Sequence, residues 1–253
     1  MNLGVILAAA ATATTAVSAT SDPYLWLEEV EGERAVAWVR AQSERSLGEL
    51  TKDPRYDRFY AAALAIAEDK SRIPNGTPRN GWVYNFWQDD THVRGIWRRT
   101  PIESYRKASP DWQTLIDLDA LAKSEARNWV FKGVTCLPPD GRLCMVELSD
   151  GGKDAVEQRE FDVEKRAFVA NGFHLPEAKQ ALIWKDANTL VVATDWGNDT
   201  MTASGYPFVV KEWRRGQPLA DAKEIHRGQE TDVGVFPAIW RSEERRVGKE
   251  CRS

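Results

Sequence analysis

At 253 residues, with 42% hydrophobic and 28% charged side chains, the chain has room for one large domain or two ordinary ones and the make-up of a folded globular protein. A formal net charge of −4 offers nothing to nucleic-acid phosphates or an anionic membrane surface, so neither is expected as a partner. Eleven tryptophans point instead to an aromatic-rich β architecture in which indoles fill the packing.

The chain opens on an uncharged stretch over residues 2–17, mostly Leu, Val, Ile, Ala and Thr, followed by the small residues Ser18 and Ala19 that suit a signal peptidase. Its apolar core, residues 3–13, is shorter than the roughly 20 residues a bilayer span needs. Residues 1–19 therefore read as an export signal, although no Lys or Arg precedes the apolar run. A periplasmic or secreted location is expected, with no membrane span.

Residues 20–78 read as a helical extension. Over residues 31–50, Val36, Val39, Ser43, Leu47 and Leu50 fall near one helical face, with Arg34, Arg40, Glu44 and Arg45 among the exposed positions. Thr51-Lys52-Asp53-Pro54 breaks that helix, and Phe59, Ala63, Ile66 and Ala67 predict a second over residues 55–69. The Pro and Gly of residues 73–78 end it.

From Gly81 the apolar period drops from 3.6 to about 2. Three sets of strands follow within residues 79–240: 82–87, 93–99 and 112–117; then 129–136, 142–148 and 157–162; then 180–184, 189–194 and 207–214. Each set occupies about 45 residues, the spacing of propeller blades, which cannot bury both faces alone and so stack and share cores. The expected fold is mainly β, an incomplete β-propeller of about three to four blades preceded by two α-helices. Cys136 and Cys144 flank the hairpin turn Leu137-Pro138-Pro139-Asp140-Gly141-Arg142; without geometry, the reading favours two free buried thiols over a bridge. Residues 241–253 show neither strand alternation nor a helical stripe and, reverse-translated, resemble a sequencing-library adapter read in frame; they are set aside as a non-native tail.

Several phrases in this pattern resemble the prolyl oligopeptidase family of serine peptidases. They are Asp22-Pro23-Tyr24-Leu25-Trp26-Leu27-Glu28 with Ala37-Trp38-Val39, the blade line Trp112-Gln113-Thr114-Leu115-Ile116-Asp117-Leu118-Asp119, and Arg159-Glu160-Phe161-Asp162 after Pro138, Asp140 and Gly141. Thr202-Ala203-Ser204-Gly205-Tyr206-Pro207 with Lys211-Glu212-Trp213-Arg214-Arg215-Gly216 is similar to a bacterial subgroup. The resemblance implies a serine endopeptidase whose α/β-hydrolase domain carries Ser, Asp and His, with a propeller of about seven blades restricting entry to short peptides. The likeness covers residues 22–240, so the chain reads as the front fragment of such a protein, and the triad falls on none of its residues. The implied partners are short peptides, cleaved after proline by the full-length protein, and the C-terminal hydrolase domain. In the family both leading helices pack partly on that domain, so Val36, Val39, Phe59 and Ile66 are expected to be less buried than their hydrophobicity demands.

The residues themselves offer no independent chemistry. There is no Gly-x-Ser-x-Gly elbow, and Ser204-Gly205 lacks the setting of one. His92, His174 and His226 are isolated and read as structural, and no spacing suggests zinc, a phosphate loop or a dinucleotide fingerprint. The oxygen-rich stretches 150–154 and 195–199 lack EF-hand spacing and read as turns, and the charged run 94–99 reads as a solvated strand face. No catalytic, cofactor-binding or metal residue is placed, no cofactor is expected, and the chain as given is expected to be inactive. The alternative is a non-enzymatic β-propeller binding module, distinguished by whether an elbow lies downstream in the reading frame.

Overall fold

The computed structural model describes residues 22–29, 31–69 and 75–239. The expected export signal and the expected non-native tail both lie outside the described residues. The chain divides into two compact units between Ala67 and Glu68.

In the first unit a 3-10 turn at Leu25–Glu28 precedes α1 (Glu33–Leu50) and α2 (Tyr56–Ala67). Helix α1 begins two residues later than its periodicity suggests because Gly32 is extended, with φ −64° and ψ 128°. Its end is sealed by Thr51, whose N–H and hydroxyl both donate to the Leu47 carbonyl. Trp26 meets Trp38 edge-on at 6.1 Å, and the Arg34 guanidinium lies 4.0 Å over the Trp26 ring. The apolar faces are otherwise bare: Val39 is 52% exposed, Phe59 56% and Ile66 74%, while Val36 is half-buried.

The second unit holds three antiparallel sheets, each drawn from one contiguous stretch of chain. Sheet 1 contains β1 (Thr77–Arg79), β2 (Trp82–Trp87), β3 (Ile96–Pro101) and β4 (Gln113–Asp117). Short helices α3 (Ile102–Tyr105) and α4 (Leu118–Glu125) follow β3 and β4. Sheet 2 contains β5 (Trp129–Cys136), β6 (Leu143–Asp150), β7 (Val156–Asp162) and β8 (Ala167–Phe168), and β9 (His174–Ala178) also pairs with β7. Sheet 3 contains β10 (Ala181–Asp186), β11 (Thr189–Ala193), β12 (Val209–Arg214) and β13 (Lys223–Arg227). These are propeller blades, built from the three strand sets read in the sequence plus added edge strands.

The middle strand of sheet 2 shows why the blades stack. Successive side chains of β6 point to opposite faces, so Cys144, Val146 and Leu148 join Tyr84, Trp97 and Phe161 in a core shared with sheet 1. Met145 faces the other way, into a second core with Phe173, Trp184, Leu190 and Trp213 of the sheet 3 side. The tryptophans do the packing expected of them: Trp97, Trp129, Trp184 and Trp213 are all buried. First strands β5 and β10 are neighbours across the gap between sheets, whereas β13 is exposed along its whole length. The sheets therefore fan outward from the side where β5 and β10 meet.

Two expectations are corrected. Cys136 and Cys144 are register partners on β5 and β6 and form a disulfide, because the hairpin turn sets them directly opposite one another. Strand β3 begins at Ile96 and not at residue 93: Gly95 has φ +98°, and the Asp119 carboxylate takes the N–H groups of Arg94 and Gly95 that a strand partner would have taken.

Candidate functional site

The residues with nucleophile or base chemistry are kept apart. His92 Nδ1 lies 2.9 Å from Asp89 Oδ1 in a turn, where the Thr91 hydroxyl, the His92 and Thr91 N–H groups and the His92 ring hold the Asp89 carboxyl far below the usual carboxylate range. His174 Nε2 lies 2.8 Å from Glu157 Oε1 at the surface, and His226 sits on the exposed β13. The Ser204 hydroxyl is 2.8 Å from Thr202 Oγ1 and donates to the Val233 carbonyl at 2.9 Å. Ser104 accepts the Asp111 N–H, and Ser149 donates to the Lys153 carbonyl. These serines are thus bonded into turns, none of them to a histidine.

The oxygen-rich stretches do form turns. Asp195 Oδ1 accepts the Gly197 N–H at 2.9 Å, and Asp150 Oδ1 accepts that of Asn128 at 2.9 Å. Asp154 takes the Tyr206 hydroxyl from the loop between β11 and β12, which with nearby Lys179 holds its carboxyl below the ordinary range. Among the described residues no group of three or more His, Cys, Asp or Glu is disposed to hold a metal ion.

What the fold does assemble is a pair of seams between blades. At the first, Phe86 stacks on Phe131 at 4.8 Å, and Asn80 Nδ2 donates to the carbonyls of Pro139 and Asp140, each at 2.7 Å. Arg99 lies 4.1 Å over the Trp82 ring, donates to Gln113 Oε1 at 2.8 Å and reaches Glu164 of sheet 2 at 2.8 Å. At the second seam, Arg215 grips both Glu160 oxygens, at 2.7 and 2.8 Å, and lies 4.5 Å over Phe173. Trp184 Nε1 crosses to the Thr135 carbonyl at 2.9 Å. The run 94–99 is therefore not the solvated face expected of it, since Arg99 is only 3% exposed. These arginines carry no motif; their signal is an arginine set among aromatic strand residues, as in Trp97-Arg98-Arg99 and Trp213-Arg214-Arg215.

On the face of sheet 2 turned toward sheet 3, Glu147 stands opposite Gly133 of β5 and Gln158 of β7. Burial pushes its carboxyl up from the ordinary glutamate range. The neighbouring Gln158 is buried, and its Oε1 has no hydrogen-bond partner among the described residues. The assembly is a stack of blades with polar groups inside its seams.

The family model described as prolyl oligopeptidase, N-terminal beta-propeller domain, matches residues 9–246. An uncharacterised peptidase of Sinorhizobium fredii, y4nA, is 48% identical over 222 residues, covering 87% of this chain and 31% of that protein. An uncharacterised peptidase of Rickettsia prowazekii, RP174, is 32% identical over 208 residues, covering 79% and 29%. Among solved structures, a post-proline cleaving enzyme from Rickettsia typhi superposes with TM-score 0.75 at 31% identity, over 83% of this chain and 31% of that one. Oligopeptidase B from Leishmania major shares the fold, with TM-score 0.60 at 14% identity over 82% of this chain and 28% of that one. The chain thus spans about a third of the length of the relatives it matches.

Proposed function

The chain belongs to the prolyl oligopeptidase family through its N-terminal β-propeller domain, and on that premise we propose that the whole protein is an exported serine endopeptidase that cleaves short peptides after proline. The observation that carries the reading is the likeness to the Rickettsia typhi post-proline cleaving enzyme, in fold and in sequence, across both units of this chain. In this reading a hydrolase domain outside the chain supplies the chemistry. Its serine attacks the peptide carbonyl, a histidine takes the serine proton and passes it to the leaving amine, and an aspartate orients the histidine. The propeller admits short peptides and turns larger ones away. The bare apolar faces of α1 and α2, with Phe59 and Ile66 exposed, support a further domain packing there. The Cys136–Cys144 disulfide fits an oxidising compartment and so supports export.

The test runs a serine-directed fluorophosphonate probe and a short proline-containing peptide on the full-length gene product and on these 253 residues side by side. The full-length protein is expected to label stoichiometrically and cleave the peptide, and the 253-residue chain to do neither. A full-length product that does not label would defeat the reading, and labelling of the shorter chain would place a nucleophile within it.

A further inference from the structure

On sheet 2, Glu147 of β6 and Gln158 of β7 are direct register partners, so their side chains leave the same face side by side, toward sheet 3. Gln158 is 1% exposed, and its Oε1 accepts nothing among the described residues. A carbonyl oxygen so enclosed is almost always paired, and leaving it bare is destabilising. Glu147 is half-buried. Its carboxyl lies over the bare backbone of Gly133, with Oε2 standing 3.8 Å from where a Cβ would be. Strand β5 shifts register between Phe131 and Gly133, and Lys132 is the extra residue of that bulge.

The side-chain donors placed in this seam are already committed. Gln180 Nε2 donates to the carbonyls of Val156 and Pro176, and the Thr194 hydroxyl to Gln180 Oε1. The indole N–H groups of Trp184, Trp196 and Trp213 reach the carbonyls of Thr135, Val209 and Gln217. The charges are answered too. On β7, Glu160 holds Arg215, and at the β5 bulge Lys132 donates to the Gly152 carbonyl. On β12, Lys211 lies 4.7 Å over Trp196 and opposite Glu224 of β13. In β9 and the turns beside it, His174 meets Glu157, Glu177 meets Lys153 and Asp154 meets Lys179, while Lys185 of β10 meets Glu212. Glu147 forms no ion pair among the described residues, and its burial favours the neutral carboxyl over the ionised one.

A neutral carboxyl carries one O–H donor, whereas an ionised one only accepts. Neutral Glu147 therefore supplies what Gln158 Oε1 lacks, and ionised Glu147 sets two acceptors against each other in a buried seam. We propose that Glu147 and Gln158 form a proton-holding latch between sheets 2 and 3: the Glu147 O–H donates to Gln158 Oε1 and keeps the seam tight, and release of that proton to water as pH rises loosens it. The folded state holds the proton more tightly than the unfolded chain does. The latch is thus closed at acid pH and opens as pH climbs through the folded-state value.

The experiment uses the full-length protein. Infrared spectra are taken across a pH series, because a protonated carboxyl absorbs apart from amides and carboxylates, and Glu147→Gln identifies the Glu147 band by its loss. That band is expected to titrate above the ordinary glutamate value of about 4.3. Gln158→Met keeps the volume and removes the acceptor, and should move the midpoint down by about 0.5–1 pH unit, the equivalent of one hydrogen bond. A band that titrates at the ordinary value, or a midpoint unmoved by Gln158→Met, would overturn the proposal. So would an upward move, which would mean that the Gln158 amide donates to an ionised carboxylate. Should Gln158→Met not fold, hydrogen exchange decides. Above the midpoint, amides of β7 and β10 are expected to exchange about fivefold faster in the unaltered protein than in Glu147→Gln at the same pH, with β2 of sheet 1 alike in both. Equal rates in β7 and β10, or the same rise in β2, would defeat the latch.

Discussion

Glu160 and Glu147 sit on the same face of sheet 2 and have opposite fortunes. The Glu160 side chain is 1% exposed, grips Arg215 and accepts the Phe173 N–H at 2.8 Å, so every part of its charge is answered. Arg215→Ala should leave that carboxylate buried and uncompensated, at a cost of about 3 kcal/mol in urea unfolding. An equivalent change at the exposed Lys52–Glu49 pair should cost at most about 1 kcal/mol. Glu147 has no such partner among the described residues, and burial raises its pKa. A raised folded-state pKa means the native protein holds this proton more tightly than the unfolded chain. The stability it confers is present below the ordinary glutamate value of about 4.3 and is lost as pH climbs through the raised one. Glu147→Gln should therefore stabilise the protein at pH 7 and change little at pH 4, as read from urea midpoints at the two pH values. Neither role was legible in the sequence, because a strand glutamate looks the same whether its neighbour across a seam is an arginine or nothing.

Among the elements, those with a buried face were legible and those without were not. The inner strands β2, β6 and β11 alternate or run continuously apolar because they are covered, and their positions follow from that pattern. Strand β13, Lys-Glu-Ile-His-Arg, is exposed at every position and so carries no alternation to read; backbone pairing with β12 alone defines it. Helix α4 was missed for another reason. Its eight residues are too few for a periodic stripe, and it depends on its cap, Asp117 Oδ1 accepting the Ala120 N–H at 2.9 Å, with Leu118 and Ala122 buried one turn apart. The signal available was an Asp just before an i, i+4 apolar pair. Asp117→Ala should remove the cap and lower stability by about 1 kcal/mol, measured by denaturant unfolding. The disulfide was underread because pairing depends on register, which composition does not reveal and which the Pro-Pro-Asp-Gly turn sets.

At the scale of the whole molecule, three blades and a helical unit read correctly from the sequence, but the polar seams that join the blades did not. Residues far apart in the chain, such as Arg215 and Glu160, meet only once the sheets are stacked. The proposal of export predicts a specific terminus. Protein recovered from the periplasm or medium should begin at Thr20, directly after Ala19, when sequenced from its N-terminus; recovery of chains that retain Met1 would count against it.

Because each sheet is made of one unbroken stretch of chain, synthesis and assembly can run in the same direction. Local pairing is quick, and N-terminal parts fold first as the chain emerges at about 5–20 residues per second. Sheet 1 is therefore finished earliest, and sheets 2 and 3 can each form against a neighbour already in place. An apolar blade face left bare would invite nascent chains to stick to one another. Each later sheet covers a face of the one before it soon after that face emerges, as Trp184, Leu190 and Trp213 of sheet 3 cover Met145 of β6, so the order of synthesis itself limits how long a core face stays bare.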